Sequence, residues 1–439
     1  MSLDFRGFFD MRRADPMRSQ AGPLPGRAGA AIARLDSRRR PFCQPGARPF
    51  TGVGRKIAPG GDVAPGADVR RIMGKIASVQ MVRAAAAIAV VANHVCSDAP
   101  VGGGIRWLFQ IYPLAEIGVH VFFAISGMLM ILTLREGGSK RHRSGDFLLR
   151  RVERIYPTYL FWLAMLLLTA VAARMAGTGY LDFVLRDAVP SLLIKNILLM
   201  PGLPDETHYR MLIPQAWTLV YEMYFYLVFA LCLAIVPPRR LLLALIVAIA
   251  LPLVVARLFF PTPDRLGWVN LAYMVADPLI LMFLMGAAFG AWWKAGTTIR
   301  IVAPGSLPHA AIMVVALVVA VVVSGHNMAE VLVRMLAAMA LLVAAAYYPV
   351  KEGPVARWGE FFGAASYSIY LAHVMLTYMS YKPHRILPLP AWTIDTALTV
   401  LAVALGCLSY RWFEQPVQSA FTQIRRRRRA RLAHHVLSD

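Results

Sequence analysis

Charge is scarce in this sequence, and the groups that build disulfides and metal centres are scarcer. Only 16% of its 439 residues are Asp, Glu, Lys or Arg, against 58% hydrophobic, and the mean hydropathy is +0.55. That is too little charge to cover a soluble domain of this length. The four cysteines, Cys43, Cys96, Cys232 and Cys407, are scattered without metal-ligand spacing, which excludes a disulfide framework and a zinc site. No apolar segment followed by a small-residue cleavage site lies within residues 1–76, so these residues are not expected to act as a signal peptide. No internal repeat suggests a transporter-type duplication. Acidic residues are the rarer sign, 24 against 46 basic, for a formal charge of +22.

Apolar runs are abundant instead. A helix needs about 20 mostly apolar residues to cross the hydrocarbon core, and the pattern predicts about ten transmembrane helices. They lie near 78–97, 117–134, 155–174, 216–236, 241–260, 271–292, 308–324, 331–348, 362–381 and 392–412. The span at 331 is the weakest, with Glu330 and Arg334 at its edge. The apolar stretch within 188–200 is too short to cross and is read as an interfacial helix. The expected fold is an all-α integral membrane protein.

The basic residues have a pattern of their own. They concentrate in 1–75, 135–154, 237–240, 294–300, 351–357 and 425–431, all on one side of a ten-span arrangement. By the positive-inside rule both termini are cytoplasmic. The run Arg425–Arg429 then reads as a clamp on anionic membrane lipids. No aromatic platform accompanies the charge, so nucleic acid is not an expected partner. Three regions follow. Residues 1–76, rich in Arg, Pro, Gly and Ala, are expected to be disordered, with Met73 an alternative start. Residues 77–416 form the membrane domain, and 417–439 a basic cytoplasmic tail.

An ionisable group inside a membrane costs at least a few kcal/mol, which makes each one a functional candidate. The first span carries Arg83 and His94. Eleven residues at 100° each end about 20° past three turns, so the two share a face about 16 Å apart. The plainer reading is a snorkelling Arg and a hydrogen-bonded His. In the fourth span, Trp217-Thr218-Leu-Val-Tyr221-Glu222 places Glu222 at roughly the depth of His94, where a carboxylate could orient an imidazole base. A structural bond between helices is the alternative. The second span offers His120, Ser126 and two glycines, Gly118 and Gly127, that would allow close backbone approach around a pocket, with simple helix packing the alternative. Arg150, Arg151 and Arg154 form a basic cluster able to bind phosphates, or simply to anchor the topology. Tyr367 and His373 lie in the ninth span. Arg411 and Glu414 end the tenth, where they could pair with each other.

Taken together, these segments resemble the membrane-bound acyltransferase family 3, and within it the exopolysaccharide O-acetyltransferases of the succinoglycan type. The resemblance is carried by Arg83 with ten residues before His94, by Gly118…Phe122-Phe123…Ser126-Gly127, and by Arg150-Arg151…Arg154-Ile-Tyr156-Pro157. Trp217-Thr-Leu…Glu222…Phe225-Tyr226, Tyr367-Ser-Ile-Tyr-Leu…His373 and Tyr410…Glu414…Pro416 complete it. It covers about 77–416. One departure is His120, where relatives usually have Asp or another polar residue.

The resemblance implies a multi-pass protein of the bacterial inner membrane. It implies a cytoplasmic acyl-CoA donor, acetyl-CoA above all, and a hydroxyl acceptor on a polysaccharide or lipid-linked glycan, with no bound cofactor and no metal. It carries the family's essential Arg and His over to Arg83 and His94, and its basic motif to Arg150, Arg151 and Arg154. In the mechanism expected, the donor's phosphates dock on those arginines and its pantetheine arm runs up the helix face to His94. That imidazole, oriented by Glu222, acts as general base or as acyl carrier. Two rivals stand: a glycan transporter or flippase with buried charges along its path, and an acyltransferase with a lipid acceptor.

Overall fold

The computed structural model describes residues 77–96, 111–134, 140–179, 181–206, 209–259, 269–295, 305–323, 328–348, 350–379 and 386–438. The expectations for residues 1–76, Met73 among them, lie outside these. Among the described residues the chain is helical, with one isolated β-bridge between Gly202 and Asn270. Seven helical stretches among the described residues are long and apolar enough to cross a membrane. The protein is an all-helical, multi-pass membrane protein.

Four of the five helices that line the cavity come early in the chain: α1 (Ala77–Cys96), α2 (Ile111–Leu132), α3 (Lys140–Met175) and, after the connection described below, α6 (Trp217–Ile235). In α3, 36 residues long, Pro157 lies inside the helix. A proline there has no N–H for the carbonyl four residues back. The Glu153 carbonyl accepts from the Gln418 amide at 3.3 Å instead, and the Arg154 carbonyl from the same amide at 3.2 Å.

Between α3 and α6 the chain makes the short helices α4 (Asp182–Asp187) and α5 (Pro190–Leu198). Helix α5 has nine residues, well short of a span, and exposes Ile194, Ile197 and Leu198, as an interfacial helix would. The rest of this connection turns inward. Tyr209, Met211, Leu212, Ile213, Gln215 and Ala216 are all buried, and a 3-10 turn, Pro214–Ala216, leads into α6. Helix α6 therefore begins inside the protein.

After α7 (Leu241–Phe259), the predicted span at 271–292 is interrupted. It consists of α8 (Leu271–Ala276) and α9 (Ile280–Lys294). Pro278 disfavours the α conformation at the residue before it, and Asp277 accordingly takes φ −78°, ψ 120°. Its carboxylate accepts from the Leu279 N–H and from the Tyr221 hydroxyl, both at 2.9 Å. The Asp-Pro pair was the visible signal of a broken helix.

Helices α10 (Leu307–Val322), α11 (Met328–Tyr347), α12 (Pro354–Met379) and α13 (Ala391–Ser409) follow. A π-helical turn, Tyr410–Glu414, joins α13 to α14 (Gln415–Ser438), so the basic tail expected from 417 continues the helix as far as it is described. Helix α9 lies on α2 in backbone contact. A Cβ added at Gly286 would overlap the Ala124 carbonyl, and one at Gly127 the Phe283 carbonyl, which bears out the close approach expected at Gly127. Helix α12 packs along α1 and α13. Arg334 of α11 is 1% exposed and pairs with Glu116 of α2, itself 7% exposed. The span that looks weakest in the sequence is thus held by a buried ion pair.

Candidate functional site

A cavity of about 90 Å³ opens between α1, α2, α3, α6 and α12. Its charged lining is Arg83, Arg151, Arg154 and Glu222, with Ser126, Tyr226, Tyr367 and Tyr370 as further polar groups. The Glu222 carboxylate accepts from Ser126 Oγ at 2.9 Å and from the Tyr226 hydroxyl one turn on. Arg151 lies over the rings of Phe147 and Tyr226, 5.3 Å from each centroid, and donates to Thr133 Oγ1 at 3.1 Å. A guanidinium can stack and hydrogen-bond at once because it is planar. Arg83 has Arg154, Glu414, Glu222 and Tyr226 as its electrostatic neighbours. Glu414, at the end of the π turn, is buried and accepts from Ser368 Oγ at 2.7 Å.

The structure thus gathers six of the residues singled out in the sequence, Arg83, Ser126, Arg151, Arg154, Glu222 and Tyr367, on one cavity. Tyr367 reaches across it to donate to the Ile155 carbonyl at 2.8 Å. Arg150 does not line it and pairs with Asp146 at 3.6 Å. Arg411 donates to Gln415 at 2.9 Å, so it and Glu414 are engaged elsewhere. Trp217 packs edge-on against Phe123 and Tyr221. His120 bonds the Glu116 carbonyl through Nδ1 at 2.7 Å and lies near Arg334, away from the cavity.

His94 is also off the cavity lining. Its ring stacks on His373, with centroids 5.2 Å apart and planes 25° apart. Glu222 shares the cavity with Arg83, and His94 does not line it. The physical reason is the inward-turning connection: depth counted from the predicted start of the span assumes that helix α6 begins at the membrane surface, whereas Ile213, Gln215 and Ala216, just before it, are already buried. Between cavity and imidazoles stands Tyr370, whose ring lines the cavity on one side and meets His373 at 5.8 Å on the other. The sequence drew attention to Tyr367 and His373 and passed over Tyr370 between them. Its position on the α12 face shared with His373 was the signal.

Among the described residues, no group of three or more His, Cys, Asp or Glu side chains could hold a metal ion.

The acyltransferase domain profile, acyltransferase 3, matches residues 76–411. The exopolysaccharide production protein ExoZ of Rhizobium meliloti (strain 1021) is 28% identical over 309 residues, which cover 70% of this chain and 90% of that protein. No solved structure matches. The matched region takes in the helices that line the cavity and both imidazoles behind it, and the chain belongs to the acyltransferase 3 family of membrane acyltransferases.

Proposed function

We propose that this acyltransferase moves an acyl group, acetyl above all, from cytoplasmic acyl-CoA to a hydroxyl of an exopolysaccharide or other cell-surface glycan. The observation that carries the reading is the cavity in which Arg83, Arg151 and Arg154 face one carboxylate, Glu222. Three guanidiniums against Glu222 and, behind the lining, Glu414 leave an excess of positive charge, suited to a phosphate-bearing donor. At about 90 Å³ the cavity is far below the several hundred Å³ of a drug-sized pocket. It suits a slender arm and not a whole nucleotide, whose phosphates stay at the mouth with Arg150, Arg151 and Arg154. The acceptor class follows the name of the Rhizobium protein.

In this reading the membrane of residence is the bacterial inner membrane, crossed ten times, with both termini cytoplasmic. The ten crossings include the interrupted pair α8–α9, the shorter α10, and α12, which is long but carries Ser366, Ser368 and His373. The basic end of α3 then faces the cytoplasm. Arg425 pairs with Glu153 there. His94 is the acid–base or acyl-carrying group, about 16 Å along α1 from Arg83. As a base it takes the hydroxyl proton as the oxygen attacks the thioester carbonyl, and returns it to the departing thiolate. As a carrier it holds the acyl group in between.

The test is His94→Ala, purified and assayed for acetyl transfer from acetyl-CoA to polysaccharide at matched protein levels. Transfer should fall by about 100-fold or more, and unchanged transfer would overturn the assignment. Ester content of polysaccharide and of lipids in a deletion strain identifies the acceptor: loss from polysaccharide is expected, and loss from lipid alone would favour the lipid acceptor.

A further inference from the structure

Two buried residues border Tyr370 without lining the cavity that it closes, Gln215 through its backbone carbonyl and His373 through its ring. Gln215 is 4% exposed, and its side-chain oxygen has no hydrogen-bond partner among the described residues. His373 is fully enclosed, and neither ring nitrogen makes a well-formed hydrogen bond there. The Ile369 and Tyr370 carbonyls, one turn back, lie close enough to attract an N–H from its ring. An imidazole that turns its N–H to them keeps a lone pair on the other nitrogen. Both groups are then hydrogen-bond acceptors in an apolar interior. Buried polar atoms are seldom left in that condition, and these two call for O–H or N–H donors.

Tyr370 connects them. Its hydroxyl donates to the Gln215 carbonyl at 2.7 Å and lies 2.9 Å from Thr218 Oγ1. Its ring is in contact with His373, which in turn stacks on His94. Two turns on, Tyr378 donates to the Leu212 carbonyl at 3.3 Å. The inward-turning connection is therefore stapled to α12 at two points, one of them the wall of the cavity.

We propose that Gln215 and His373, beside His94, form the subsite for the acceptor's hydroxyl groups, and that Tyr370 partitions this subsite from the donor cavity. The inference rests on the acyltransferase reading above. Sugar hydroxyls supply the O–H donors that the Gln215 oxygen and the His373 lone pair require, whereas the acyl thioester group has none to give. The connection that carries Gln215 joins the outer part of α5 to α6, so a glycan that engages it meets these groups first. The latch on Tyr370 is Gln215's own peptide. An acceptor drawn onto the Gln215 side chain shifts that peptide and loosens the tyrosine, so the thioester is admitted to the imidazoles when a hydroxyl is there to take the acyl group. Without acceptor, the partition shields the thioester from water.

The experiment uses the full chain in detergent with acetyl-CoA and polysaccharide as varied substrates. Gln215→Leu should raise the acceptor KM about tenfold, the equilibrium worth of one hydrogen bond, and leave the donor KM within about twofold. Tyr370→Phe keeps the ring and loses the hydroxyl's bonds to the Gln215 carbonyl and to Thr218. Its acetyl-CoA hydrolysis without acceptor should rise at least about threefold. If Gln215→Leu does not yield monodisperse protein, Gln215→Met gives the same contrast. An unchanged acceptor KM overturns the proposal and assigns the Gln215 oxygen to a trapped water only. So does a matching rise in donor KM, or unchanged hydrolysis in Tyr370→Phe. His94→Ala separates the levels: if it transfers normally, the acyltransferase site itself is misassigned. If it is inactive while Gln215→Leu behaves as wild type, only the subsite fails.

Discussion

Replacing Arg334 alone should destabilise this protein far more than replacing it together with Glu116. The two side chains meet across α11 and α2 at 1% and 7% exposure. Arg334→Leu would leave the carboxylate in an apolar interior without its counter-charge, which costs about 3–5 kcal/mol. The double variant Glu116→Leu, Arg334→Leu removes both desolvation penalties with the attraction, and apolar replacements of that kind are often near neutral. The coupling energy from the double-mutant cycle should therefore be about 2 kcal/mol or more. The assay is unfolding in mixed micelles followed by tryptophan fluorescence, for which the nine tryptophans of the chain provide signal. If the double variant is as unstable as the sum of the single ones, the pair is not the coupled buried unit described. There is a functional corollary. Helix α2 also carries Ser126 and the Phe122–Phe123 wall of the cavity, so transfer per folded molecule should fall in Arg334→Leu and recover in the double variant.

Other outcomes follow from the same geometry. Gly286→Val places a branched side chain against the Ala124 carbonyl; overpacking of that kind costs about 1–3 kcal/mol, and the yield of folded protein and its melting temperature should drop, while Gly353→Ala, where the nearest atom is 4.0 Å away, should not. Arg151→Lys keeps the charge but loses the planar stack on Phe147 and Tyr226; the donor KM should rise about tenfold or more with the acceptor KM unmoved, and a wild-type donor KM would remove Arg151 from donor binding. Glu206, in the connection outside the spans, is held below the usual carboxylate range by its hydrogen bond from Lys195 and then by the Leu203 N–H. A depressed carboxyl contributes stability above its unfolded value, about pH 4.3, and loses it as pH falls through the folded value. Acid-protease cleavage of the connection should accordingly rise between roughly pH 5 and pH 3 in the wild type, and be high at both in Glu206→Gln.

Much of the site could be read along single helices. Helical periodicity put Arg83 and His94 on one face of α1, and the basic run at the start of α3 singled out Arg151 and Arg154, two of the cavity's three arginines. The close approach at Gly127 came from the absence of a side chain. Relations between helices were another matter. Glu222 was expected opposite His94 and shares the cavity with Arg83 instead, because the connection before α6 turns inward and buries Ile213, Gln215 and Ala216 ahead of the helix. Arg411 and Glu414 were expected to meet, and the π turn directs Glu414 inward to Ser368 while Arg411 takes Gln415.

The membrane class, the approximate places of most helices and the order of the family's motifs were determined by the sequence alone. Each rests on apolar runs, on charge placement or on spacing within one segment, and those are local quantities. The cavity with Glu222 among its arginines, the stacked His94–His373 pair, the buried Arg334–Glu116 bridge and the wall that Tyr370 makes were decided only by the tertiary structure. The reason is physical: a helix's own period sets which residues share a face, but how far one helix slides along another depends on connections and on side-chain packing between distant segments. Here, burial of Tyr209, Met211, Leu212, Ile213, Gln215 and Ala216 in the connection before α6 and the backbone contact at Gly286 set that offset.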